Sequence, residues 1–289
     1  MTTLTQTGIA SMAICFYGAG SMAEAIARGL ISEKLVEPGK ISMLNRSNKD
    51  RLAELHERYG VQTVIQGSSN ENFLQEADII FLAMKPKDAA EALAYLGPML
   101  KPNQLIVSVI AGLSIASMER LLGENQPIVR SMPNTSSTIG LGATGISYSK
   151  HVTPTHRLIA EAMFQSIGIN AVIDEPLQES ITGVSGSGPA YVYFVMEAML
   201  KAADEMGLAP DMAKELVVQT VLGAAQMVKQ TGESPEQLRR KVTSPNGTTQ
   251  AAIETMAEAG LPEALIKGMR RSAERAGEIG AAIERSLAE

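Results

Sequence analysis

The chain has 289 residues, of which 45% are hydrophobic and 19% charged, with a formal net charge of −6. That balance fits a globular protein long enough for two domains, and the lack of any Lys/Arg-rich run leaves binding along a nucleic-acid backbone without support. A single cysteine, Cys15, excludes an intrachain disulfide and a cysteine metal cluster, so no metal is expected.

The first dozen residues lack the basic flank of a signal peptide. Glu, Lys or Gly interrupts every apolar stretch before it reaches bilayer length. A soluble cytoplasmic protein is the expectation. "MAICFYGAG" (residues 12–20) is an apolar, β-rich run ending in glycines, and "SMAEAIARGLISE" (21–33) follows with helical spacing. "KISMLNRS" (40–47) is a second strand, and "NKDRLAELHERYG" (48–60) a helix closed by Gly60. Three more strands are expected in "ADIIFLAMKP" (77–86), "QLIVSVIAG" (104–112) and "PIVRSMPN" (127–134). Strands this apolar, alternating with helices, predict an α/β fold: a parallel, Rossmann-type doubly wound sheet covered on both faces.

The first strand runs into Gly18-Ala19-Gly20-Ser21-Met22-Ala23, a G-x-G-x-x-A pattern that opens a helix. Gly18 permits the tight turn, Gly20 the close approach of a pyrophosphate, and the helix N-terminus faces the anion. A glycine turn that only packs the helix closely is the alternative. The second strand ends in Asn45-Arg46-Ser47-Asn48, where an NAD site usually carries an acid. A guanidinium and a hydroxyl suit a 2′-phosphate, so NADPH is favoured over NADH, against Arg46 as a solvated surface charge. The strand ends "AMKP" (83–86), "AGL" (111–113) and "MPNT" (132–135) should line the nicotinamide side. Lys85 is either a phosphate or substrate contact or an exposed strand-end lysine.

Beyond "GINAVIDEP" (168–176) strand signals stop, which divides the chain into residues 1–175 and an all-helical 176–289. The helices within residues 185–207 and 211–232 are apolar over much of their circumference. A homo-oligomer interface accounts for that, with packing inside the domain as the alternative. In "VTSPNGTTQAAIETM" (242–256), hydroxyls and backbone N–H groups collect at a helix start. This is either an uncharged carboxylate cradle or an ordinary cap.

"GAGSMAEAIARG", "AMKPKD", "RSMPNT", "VSGSGPAYVYFVMEAM" and "TSPNGTTQAAI" together resemble pyrroline-5-carboxylate reductase, over nearly the whole chain. The resemblance implies a Rossmann domain joined to a helical substrate-binding and dimerisation domain, with dimers that assemble into rings such as a decamer. It implies NADPH-dependent reduction of Δ1-pyrroline-5-carboxylate to L-proline, with NADH as a weaker cofactor. Cofactor contacts would come from Gly18, Ala19, Gly20, Ser21, Met22, Arg46, Ser47, Asn70, Ala83, Met84, Lys85, Pro86, Ala111 and Gly112. Ser244, Gly247, Thr248 and Thr249 would hold the substrate, with the Thr249 hydroxyl near the ring nitrogen.

The family usually has Gly-Gly where this chain has Asn246-Gly247, and Asn is the residue best able after Gly to adopt a left-handed conformation. A β-hydroxyacid dehydrogenase would place a lysine where this chain has Val192. A 2-hydroxyacid dehydrogenase would need an activated histidine, and His56, His151 and His156 adjoin none of the turn motifs. A non-catalytic dinucleotide-binding relative is the rival from another class.

Overall fold

The computed structural model describes residues 8–67 and 72–287. By contacts the chain forms two units, Met1–Ser187 with Arg270–Glu289, and Gly188–Met269. The first unit contains β1 (Ile14–Tyr17), α1 (Ser21–Ser32), β2 (Ile41–Asn45), α2 (Lys49–Tyr59), β3 (Gln62–Ile65) and α3 (Asn72–Glu76). It continues through β4 (Ile79–Leu82), α4 (Ala89–Leu96), β5 (Leu105–Ser108), α5 (Ile115–Leu122) and β6 (Ile128–Met132). β7 (Gly142–Tyr148), α6 (Pro154–Gln165), β8 (Gly168–Val172) and the short α7 (Gln178–Ile181) complete this run.

The eight strands lie in the order β3-β2-β1-β4-β5-β6-β7-β8. Successive strand residues point to opposite faces, and both faces are filled. Ile14 and Phe16 of β1 and Ile79 and Phe81 of β4 join Ile26 and Leu30 of α1 and Phe164 of α6 in one core. Cys15, Tyr17, Ile80 and Leu82 join Leu93 and Leu96 of α4 and Met118 of α5 in the other. Phe16 and Phe81 stack with centroids 4.6 Å apart, and Phe164 meets Phe81 edge-on. Chain order reverses between β1 and β4, which makes their carboxyl ends the switch point where doubly wound sheets bind ligands.

One departure from the expected parallel sheet is β7, which runs antiparallel to β6. Residues 133–141, which connect them, are too few for a parallel crossover of about a dozen residues or more, so the chain folds back. A second departure lies at residues 182–186. Thr182–Gly186 is a π-helical turn running out of α7, and the following helix starts at Gly188.

The division read from the sequence at residue 175 follows motif and periodicity, whereas contacts carry residues 176–187 and 270–289 with the first unit. Buried Arg130 on β6 pairs with Glu175 (3.0 Å) and with Glu179 of α7 (2.8 Å). α12 (Leu261–Ser286) ends against the exit of β5. There Gly112 has φ +79°, and a Cβ built on it would lie 2.8 Å from the Gly280 backbone nitrogen. Backbone meets backbone at this point, a contact only glycine allows. Ile283 then enters the second core, and Ser114 Oγ donates to Glu284 at 3.2 Å.

The second unit comprises α8 (Gly188–Glu205), α9 (Pro210–Thr231), α10 (Pro235–Lys241), α11 (Thr248–Glu258) and the first part of α12. Gly232 closes α9 in the left-handed conformation, and a reciprocal Ser234–Gln237 capping box opens α10. Only Ala203 of α8 and Ala213 and Val217 of α9 are buried on this helix pair. Tyr193, Phe194, Met212, Leu216 and Leu222 are exposed, Phe194 to 74%. Among the described residues no helix is long and apolar enough to cross a membrane.

Candidate active site

Gly18 leaves β1 at φ +120°, its N–H donating to Leu44 O at 3.0 Å. A Cβ there would lie 2.4 Å from Ala83 O at the end of β4. The chain can pass between the two strand ends only as glycine. Gly20 differs. It is the N-cap of α1 at φ −78°, ordinary backbone for any residue, and its Cβ would meet nothing within 4 Å. Among the described residues nothing demands glycine at this position, and the open space above it is where a ligand would approach. α1 has no side-chain cap hydrogen bond, which leaves its first N–H groups turned outward with the helix dipole behind them.

The loop between Gly18 and α1 is anchored from behind. Arg51 Nε donates to Ala19 O at 3.3 Å, and the same guanidinium pairs with Glu24 and Glu54. Burial works against the charge on Glu24, but hydrogen bonds from Arg51, Tyr59 and Arg58 outweigh it and hold the carboxyl below its usual range.

These elements wall a cleft of about 630 Å³ lined by Gly18, Ala19, Gly20, Arg46, Ala83, Met84 and Lys85, a volume within the ordinary range for cofactor sites. Seven of the expected cofactor residues thus meet in one place. Ser21 and Met22 form the first turn of α1, Ser47 follows Arg46, and Pro86 opens the single turn Pro86–Asp88. Ala111 and Gly112 follow β5. None of these six lines the cleft, and Asn70 lies outside the described residues.

Asn45, Gln66, Lys87, Asp88, Glu91 and Tyr95 also line the cleft, and sequence reasoning passed over all six. Asn45 carried a readable signal. Its Oδ1 accepts from the N–H groups of Ser47 (3.1 Å) and Asn48 (2.9 Å), an Asx turn that presents Arg46 at its apex. Glu91 and Tyr95, one helical turn apart on α4, carried none.

The expected substrate residues gather in the second unit. Gly247 is the N-cap of α11, and its N–H donates to Ser244 O at 3.0 Å. Thr248 and Thr249 begin the helix, and because its N-cap is glycine no side chain caps it from that position. Asn246 adopts φ +58°, the left-handed conformation expected of it in place of glycine. Its N–H is held by Gln250 Oε1 at 2.8 Å. The loop is neutral and rich in donors, which suits a carboxylate.

None of the three histidines lines the cleft. His56 Nδ1 lies 2.8 Å from Val61 O, and His156 completes the capping box of α6, its imidazole pushed below its usual pKa by burial. Among the described residues, neither has the carboxylate partner of an activated base.

Residues 175–279 match the family model described as pyrroline-5-carboxylate reductase dimerisation, and residues 13–112 match NADP oxidoreductase coenzyme F420-dependent. Pyrroline-5-carboxylate reductase 1 of Bacillus spizizenii is 42% identical over 275 residues, covering 95% of this chain and 92% of that protein. The Pseudomonas aeruginosa reductase is 38% identical over 92% of this chain and 98% of its own length. The solved reductase of Coxiella burnetii superposes with a TM-score of 0.84 at 37% identity, covering 93% of this chain and 98% of that one. A Plasmodium falciparum pyrroline carboxylate reductase solved with NADP bound gives 0.85 at 28% identity, covering 94% of this chain and all of that one. With glycine loop, Arg46 turn and hydroxyl loop present, and with these relatives matched over more than nine-tenths of both chains, the chain belongs to the pyrroline-5-carboxylate reductase family.

Proposed function

We propose that the chain reduces Δ1-pyrroline-5-carboxylate to L-proline, using NADPH in preference to NADH. The observation that carries the cofactor reading is the 630 Å³ cleft where Gly18, Gly20, Arg46 and Lys85 meet at the switch point. NADPH fits the residues present. The open space over Gly20 and the uncapped start of α1, at Ser21 and Met22, suit a pyrophosphate, and Arg46 with Ser47 suits a 2′-phosphate. Asn70, Met84, Pro86, Ala111 and Gly112 complete the proposed cofactor contacts. Bound NADPH supplies the hydride for the imine carbon.

The chain's own part is positioning. An imine protonated in solution is already a good hydride acceptor, so the protein needs no strong acid. Ser244, Gly247 and Thr248 fix the carboxylate, and the Thr249 hydroxyl hydrogen-bonds the ring nitrogen as it becomes an amine. Residues 1–175 act as the nucleotide-binding domain, and residues 176–289 as the substrate-binding and dimerisation domain. The exposed apolar faces of α8 and α9 support a homodimer formed through these helices, with a decamer as the ring of such dimers. The protein works in the cytoplasm.

Mixing the protein with NADPH and pyrroline-5-carboxylate is expected to consume the nucleotide's near-ultraviolet absorbance and yield proline. Tight NADPH binding without turnover would instead identify a non-catalytic nucleotide sensor. Arg46→Ala is expected to raise the KM for NADPH about tenfold to a hundredfold, the loss of a charge-assisted hydrogen bond, and that for NADH less than about twofold. Parallel initial rates with the two nucleotides measure this.

A further inference from the structure

We propose that Glu91, seconded by Asp88, sets how strongly the chain discriminates between phosphorylated and unphosphorylated nicotinamide nucleotides. The inference rests on the 2′-phosphate role of Arg46 given above. Arg46 does not wait in the cleft as a bare cation. Its Nη2 lies 2.6 Å from Glu91 Oε2, and its Nη1 lies 3.8 Å from Asp88 Oδ1. The other cations on the cleft wall are Lys85 and Lys87, so three positive groups face these two carboxylates.

A 2′-phosphate carries close to two negative charges and seeks the same guanidinium donors that Glu91 holds. To bind, it displaces the carboxylate and then sits beside it, because α4 fixes where Glu91 emerges. A ribose with a free 2′-hydroxyl meets neither cost, since it leaves the Arg46–Glu91 pair intact and the guanidinium neutralised. Glu91 therefore penalises NADPH alone and narrows a preference that Arg46 creates. The pair is exposed, with Arg46 at 64% and Glu91 at 77% of side-chain area, which limits the effect to a modest factor.

The test is Glu91→Gln, which keeps shape and helix propensity while removing the charge. The ratio of kcat/KM for NADPH to that for NADH is expected to rise about threefold to tenfold in low salt. The gain should shrink as ionic strength is raised, and largely vanish when Glu91→Gln is combined with Arg46→Ala. An unchanged or falling ratio, with Arg46→Ala still selective against NADPH, overturns the role of Glu91 and leaves the 2′-phosphate site standing. If Arg46→Ala affects both nucleotides equally, the site itself is misassigned and this inference falls with it.

Discussion

Gly18→Ala should cost the protein both its nucleotide and part of its stability. The new Cβ would lie 2.4 Å from Ala83 O and 2.7 Å from Ala83 C, both backbone atoms at the end of β4, at φ +120°. No rotamer change relieves that clash. Left-handed strain and overpacking at a fully built strand pair together cost about 2–5 kcal/mol, which for a domain of this size lowers the melting midpoint by roughly 5–15 °C. Relief comes only by moving the Gly18–Gly20 turn or the Ala83 strand end, and both wall the same cleft. A displacement near an ångström lowers the rate of hydride transfer about a hundredfold, and NADPH binding weakens with it. Gly20→Ala is the informative partner, because its Cβ would enter empty space. Its melting midpoint should stay within a degree or two, while NADPH binding still falls about tenfold or more. If Gly20→Ala binds NADPH like the parent, no ligand approaches the start of α1, and the cofactor reading of this turn is wrong. Thermal melts with and without NADPH separate the two effects.

Thr249→Ala should lower kcat about tenfold to a hundredfold, the range for a hydrogen bond to a group carrying charge in the reaction, with NADPH affinity within about twofold. Thr249 stands in the first turn of α11, whose N-cap is Gly247, so its side chain caps nothing and its loss leaves the helix intact. Thr249→Ser should recover most of the rate, since the hydroxyl and not the methyl is required. Loss confined to KM would move Thr249 from the ring nitrogen to the carboxylate. Full activity would remove it from the chemistry altogether.

The sheet was legible in the sequence because β1, β4 and β5 are buried on both faces and had to be apolar throughout. β3 and β7 escaped notice for opposite physical reasons. β3 is a short edge strand with half-exposed side chains, and β7 begins Gly-Ala-Thr-Gly because α7 lies close over it: a Cβ on Gly145 would lie 2.9 Å from the Ile181 side chain. Gly18 and Arg46 could be found because each follows a strand whose end the pattern marks. Glu91 could not be, since its importance depends on α4 bringing it to a residue forty-five positions earlier. Local periodicity carries no trace of such a pairing. The Asn246 substitution was legible for the reason that made it tolerable, its capacity for positive φ.

The return of α12 to the first unit changes how this chain could be taken apart. Stopping translation after Ser187 would not release a self-sufficient nucleotide-binding fragment. Such a piece would lack Gly280 against Gly112, Ile283 in the second core and Glu284 beside Ser114. Ser187 and Ser272, however, already touch through their hydroxyls at 2.9 Å. The helical unit is thus an excursion that leaves and rejoins the first unit at adjacent points, and a miniaturised binder would be made by splicing residue 187 to residue 270, not by truncation.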